Sequence, residues 1–250
     1  MTTPAKDLPE GSARRVPLKL MALRAVLVVL GLAAWFATQA AISARDATSS
    51  PEDLAAAGQV LLGGDGLLDA TTPVYEWLLA DKRRAYTLLI ASSLAIDLLG
   101  FFLLGWSVVG PSVRPFVGLL MLFGLRQLMQ LMSALPAPPG MVWEYPGFGS
   151  VLVTYDVAND FFFSGHTAIA VYGAVELGRL GGWKTKLGAI ALAIFLAASV
   201  ILVRAHWTMD VYAGAVSALL AASWAAAVAP AIDRTLARAT GVKALYAAAD

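Results

Sequence analysis

Cysteine is absent from the 250 residues, and histidine occurs only twice. The first absence removes disulfides and thiolate metal sites, though it decides no compartment. Charge is scarce as well: 14% of residues are Asp, Glu, Lys or Arg, and the net charge is +1. A net charge this close to zero implies no nucleic-acid partner. No internal repeat at a fixed period is visible, which excludes a repeat array. What fills the chain is apolar: 59% of it is hydrophobic and its mean hydropathy is +0.71, values rare in a water-soluble domain.

A helix needs about 20 apolar residues to cross the hydrocarbon. Six runs meet that need, 20–42, 86–109, 115–135, 161–180, 187–203 and 211–232. The expected fold is therefore all-α, an integral membrane bundle of six transmembrane helices over residues 20–232, with tails at 1–19 and 233–250. An even number of spans puts both termini on one side. The first run follows Lys6, Arg14, Arg15 and Lys19 but continues through Trp35 and Phe36. That is longer than the hydrophobic part of a signal peptide, so it reads as an uncleaved anchor.

Orientation follows from Lys and Arg. Cytoplasmic termini place Arg114, Arg179, Lys184, Lys186, Arg234, Arg238 and Lys243 inside with the basic N-terminal segment. Arg45, Arg204 and the Lys82-Arg83-Arg84 cluster then fall outside, and that cluster runs against the bias. Segment 136–160 becomes an outer loop with Glu144, Asp156, Asp160 and no Lys or Arg. Its Trp143, Tyr145, Phe148 and Tyr155 are rings suited to headgroup depth.

Both histidines fall at this same membrane face. The fourth run descends from Ser164-Gly165-His166-Thr167, a basic turn reverses it, and the fifth returns to His206. Ser164 can cap a helix whose glycine and free N–H groups would seat a phosphate. Asp210 is four residues past His206, so a sixth helix beginning at or just before His206 would put the two one turn apart. A carboxylate there can hold one imidazole nitrogen and sharpen the other as a nucleophile. An isolated histidine near a membrane end is most often satisfied by water or backbone. Two such constellations on one face, in a chain with two histidines, outweigh that reading.

These residues resemble the phosphatidic acid phosphatase-like superfamily, and within it the sphingomyelin synthase-related branch. The branch pattern D-x-x-x-S-G-H-T followed by H-Y-T-x-D is matched by Asp160, Ser164 to Thr167, and His206-Trp207-Thr208-Met209-Asp210, with tryptophan for tyrosine. Arg114, Arg126 and Leu135 to Gly140 (LPAPPG) are similar to an earlier motif of the branch, whereas Ala158-Asn159 departs from its C-G before the acid. The lysine and arginine clamps of the ordinary lipid phosphatases are missing.

The resemblance implies transfer of a phospho-headgroup from a glycerophospholipid to ceramide, diacylglycerol or a related lipid alcohol, on the non-cytoplasmic face. His206, oriented by Asp210, would be the nucleophile. His166, tuned by Asp160, would be the acid and then the base. Ser164, Gly165, Thr167 and the helix amides would hold the phosphoryl group. No metal or other cofactor is expected. With water as acceptor the same site would be a phosphatase or a phospholipase C-like hydrolase.

Asp97 and Arg126 are charges deep in helices, eleven residues past Tyr86 and ten before Pro136 respectively. They are expected at similar depth, as an ion pair or with Arg126 on a lipid phosphate. Glu144 is a solvated carboxylate or a contact for a cationic headgroup. A transporter using Asp97 and Arg126 would show paired broken helices in two halves, and none is visible.

Overall fold

The computed structural model describes residues 16–43, 64–132, 135, 137–155 and 162–242. Among them lie seven helices and no strand: α1 Leu18–Ser43, α2 Gly66–Leu79, α3 Lys82–Val109, α4 Arg114–Met132, α5 Gly165–Leu180, α6 Trp183–Leu202 and α7 Thr208–Ala239. Five of these, α1, α3, α4, α6 and α7, are long and apolar enough to cross a membrane. The chain is an integral membrane protein. Its outward faces carry side chains such as Val29, Leu98, Ile194 and Leu219, each more than 40% exposed, as they would be against lipid.

The fourth expected run, 161–180, is realised differently. Its helix starts at Gly165 and has 16 residues, a rise of about 24 Å. Alone it falls short of the hydrocarbon thickness, and α5 is the inner strut of the bundle, packed against α3, α4, α6 and α7. The third run is helix over Arg114–Met132 among the described residues.

Helix α2 had no counterpart in the expected spans. Asp65 caps it, accepting a hydrogen bond from Leu68 N at 3.2 Å. Leu67, Val74 and Trp77 stay exposed on it, at spacings of a single helical stripe. Such a helix suits the interface plane rather than a crossing.

Helix α7 buries Gly214, Ala218, Ala221, Ala222, Ala225 and Ala229. Small residues let helices approach closely, which in lipid replaces the hydrophobic drive for association. At Gly214 a Cβ would stand 2.7 Å from the Ser164 carbonyl oxygen, so only glycine lets α7 pass the start of α5 at this distance.

The deep charges are paired otherwise than the sequence suggests. Asp97 and Arg126 form no ion pair. Asp97 accepts from Ser150 Oγ at 2.9 Å, Val151 N at 3.0 Å and Leu152 N at 2.9 Å. The loop after α4 meets α3 at Tyr86, whose hydroxyl donates to Glu144 at 3.1 Å, and runs down it to Asp97, about 16 Å along the axis. Backbone at that depth must find internal partners, and the carboxylate is one. Away from the histidines, Arg24 binds Asp233 at 3.0 Å and donates to Gly110 O at 2.7 Å. Arg114 chelates the Glu176 carboxylate at 2.8 to 3.2 Å.

Candidate active site

Ser164 caps α5 as its sequence suggests, accepting from Thr167 N at 3.3 Å and Thr167 Oγ1 at 3.1 Å. Both side chains are buried and occupied with each other. They build the helix terminus rather than line the cavity, whereas Gly165 and His166 do line it. Ser164 N also donates to Asp210 O at 3.1 Å, so the starts of α5 and α7 are tied through backbone.

Helix α7 starts at Thr208, not at His206. His206 sits in the turn before the helix. Asp210, in the first turn of α7, reaches back over it: one carboxylate oxygen accepts from Trp207 N at 3.0 Å and stands 3.4 Å from His206 Nδ1. Asp210 is thus the neighbour of His206 that the four-residue spacing predicts, but through a side chain curling over a helix start rather than a shared helix face.

His166 is 7% exposed, and its Nε2 has no hydrogen-bond partner. Orphan buried nitrogens are uncommon, and this one belongs to a ring lining a cavity. Its other neighbour is Trp143, edge-on with ring centroids 5.2 Å apart.

Both histidines line a single cavity of about 60 Å³, with Trp35, Gln39, Arg126 and Trp143 among its walls. That is space for about two waters at liquid density, the scale of a phosphoryl group rather than of a lipid. Arg126 donates to Phe163 O at 3.0 Å and to Gln39 Oε1 at 3.5 Å, and so brings a cation to the edge of the cavity. Glu144 lies outside the cavity lining, on Tyr86. Asp160 falls outside the described residues.

Several contributors were not singled out in the sequence. Gln39 is one amide in the apolar run of α1. Asp65 accepts from Thr208 N at 2.8 Å and Thr208 Oγ1 at 2.5 Å, fastening the start of α7 across 143 residues of chain. Trp143 counted only as one ring of an aromatic loop. Nothing local in the sequence marks these three, because each acts through a distant partner. Among the described residues no group of three or more His, Asp or Glu is placed to hold a metal ion.

The apolar bundle, with two histidines and an arginine around one small cavity, defines an integral membrane protein with a candidate lipid-modifying site. A family model described as AtPDCT1/2 matches residues 67–227, more than half of the chain. The chain belongs to this family, the phosphatidylcholine:diacylglycerol cholinephosphotransferases, and is a phospholipid headgroup transferase by membership. No curated protein and no solved structure gives a significant match. The sphingomyelin synthase-related branch is thereby corrected. Trp207 in place of tyrosine and Ala158-Asn159 in place of C-G were the points at which the pattern already departed from that branch.

Proposed function

We propose that the protein moves phosphocholine from phosphatidylcholine to diacylglycerol through a phosphohistidine on His206, on the non-cytoplasmic side of the membrane. The observation that carries this reading is the shared cavity: His206 backed by Asp210, the unpartnered Nε2 of His166, and Arg126 all border it.

Asp210 at Nδ1 leaves His206 Nε2 as the attacking atom. It bonds to phosphorus as the bond to the glycerol oxygen breaks. His166 protonates that oxygen, and diacylglycerol departs. The acceptor diacylglycerol then loses its hydroxyl proton to His166 and attacks phosphorus, and the phosphorus–nitrogen bond breaks to free His206. The α5 amides and Arg126 offset charge on the phosphoryl oxygens. Asp160, in register with the S-G-H-T motif, is assigned to hold His166. The family match directs the acceptor to diacylglycerol rather than ceramide.

The test is purified protein in phosphatidylcholine vesicles with either a fluorescent diacylglycerol or a fluorescent ceramide. Fluorescent phosphatidylcholine should form in the first, with little product in the second. Preferential labelling of ceramide would move the acceptor, and inorganic phosphate released from phosphatidic acid without transfer would make the protein a phosphatase.

A further inference from the structure

Aromatic rings stand in series behind the cavity, and the first of them lines it. Trp143 lines the cavity beside His166. Tyr155 packs on Trp143 with centroids 5.3 Å apart, and Tyr145 meets Tyr155 edge-on at 6.2 Å. The Glu144 carboxylate stands between Trp143 and Tyr145 in sequence.

The polar handles of the inner rings are already used. Trp143 Nε1 donates to Thr154 O at 2.8 Å. The Tyr155 hydroxyl is bonded to Ser93. Tyr86 donates to Glu144. What these rings offer a ligand is therefore ring face with few hydrogen-bond acceptors, while the Glu144 carboxylate, held by Tyr86 outside the cavity lining, adds negative charge at a distance.

That chemistry discriminates between headgroups. A primary ammonium such as that of ethanolamine carries three N–H donors and is left short of acceptors here. A quaternary ammonium has no donor to satisfy and is attracted by aromatic faces. In phosphocholine four bonds separate phosphorus from nitrogen, a reach comparable with one ring-to-ring step from the cavity beside His166.

We propose that Trp143 and Tyr155 form the subsite that binds the trimethylammonium of the donor and selects choline over ethanolamine, with Tyr145 and Glu144 at its outer edge. The assignment rests on the transferase reading for its place in the reaction, and its test includes binding without turnover.

Two measurements separate the alternatives. In the first, transfer to fluorescent diacylglycerol is followed with phosphatidylcholine or phosphatidylethanolamine as donor, for wild type, Tyr155→Leu, Tyr145→Leu, Glu144→Gln and Tyr155→Phe. The ratio of kcat/KM for choline over ethanolamine donor should fall roughly three- to thirty-fold in Tyr155→Leu, from the usual strength of a cation–π contact. Smaller falls are expected in Tyr145→Leu and Glu144→Gln. Tyr155→Phe keeps the ring, loses the Ser93 bond and should keep the ratio. Equal loss with both donors in Tyr155→Leu, or a ratio that follows the hydroxyl rather than the ring, overturns the subsite.

The second measurement is titration of soluble phosphocholine and phosphoethanolamine, read by tryptophan fluorescence in detergent. Wild type should bind phosphocholine more tightly, and Tyr155→Leu should lose the difference. Preference in binding without any transfer would overturn the transferase reading and leave the subsite standing. Transfer with no preference in either measurement would do the reverse.

Discussion

Asp210 reaches back from the first turn of α7 to within 3.4 Å of His206 Nδ1 while holding the Trp207 amide with the same oxygen. The carboxylate is thus fixed by backbone before it acts on the ring, and His206 and His166 should fail differently when removed.

On the proposed mechanism His206→Ala removes the atom that carries the headgroup, so no covalent intermediate should form with any donor. His166→Ala loses proton delivery, a contribution of typically 10²–10⁴-fold. A nitrophenyl phosphodiester donor needs little protonation of its leaving group. It should partly restore the first step in His166→Ala, with phosphohistidine accumulating, and none of it in His206→Ala. Rescue of His206→Ala instead would reverse the roles. Asp210→Asn should retain a residual rate, because an amide still orients the ring.

Asp97 serves the loop and not Arg126. Asp97→Ala strips three donors of their acceptor, and with lost bonds to a charged group at about 1.5–3 kcal/mol each the variant should lose roughly 3 kcal/mol or more. Thermal unfolding in detergent and proteolysis of the loop at 137–155 report this. A double-mutant cycle with Arg126→Ala should give a coupling near zero. A coupling above about 1 kcal/mol would mean the two charges act as a pair after all.

Asp65 supplies a pH test. Burial works to raise its pKa, but hydrogen bonds from the Thr208 hydroxyl and amide and from the Leu68 and Leu67 amides outweigh this and hold it below the ordinary 3.8. A folded pKa below the unfolded one gives stability that is present above pH 3.8 and is lost as pH falls through the lower value. The Tm gap between wild type and Asp65→Asn should therefore be constant near neutrality and narrow below about pH 4. A gap that does not change over that range would remove Thr208 as its partner.

Topology is tested by single cysteines in this cysteine-free chain. Cysteines at Gly149, in the loop, and Gly182, at the start of α6, should label from opposite sides of sealed vesicles. Labelling of both from one side would break the assignment of faces.

The sequence reading recovered what is written locally. Five of the six apolar runs, the Ser164 cap and the four-residue step from His206 to Asp210 are all short-range patterns, and they led to the same two histidines that the fold brings to one cavity. Partnerships that span the chain were not legible. Asp97 and Arg126 matched in depth, but periodicity says nothing about a loop descending beside α3 with three donors for the carboxylate. Asp65 with Thr208 and Gln39 with Arg126 join residues more than 80 positions apart. The early start given to the fourth span, at Phe161 rather than Gly165, came from aromatic residues that continue the apolar run without continuing the helix.

The shortness of α5 bears on which bilayers suit the enzyme. Its rise of about 24 Å falls one helical turn short of a hydrocarbon slab of about 30 Å. On the proposed reading, a donor phosphate seated at its first turn would sink below its resting level, or the surrounding leaflet would thin to meet it. Either adjustment costs a fraction of a kcal/mol per Å of mismatch. Short-chain vesicles should relieve that cost and sterol-thickened ones add to it, so headgroup exchange is expected to quicken as the bilayer thins.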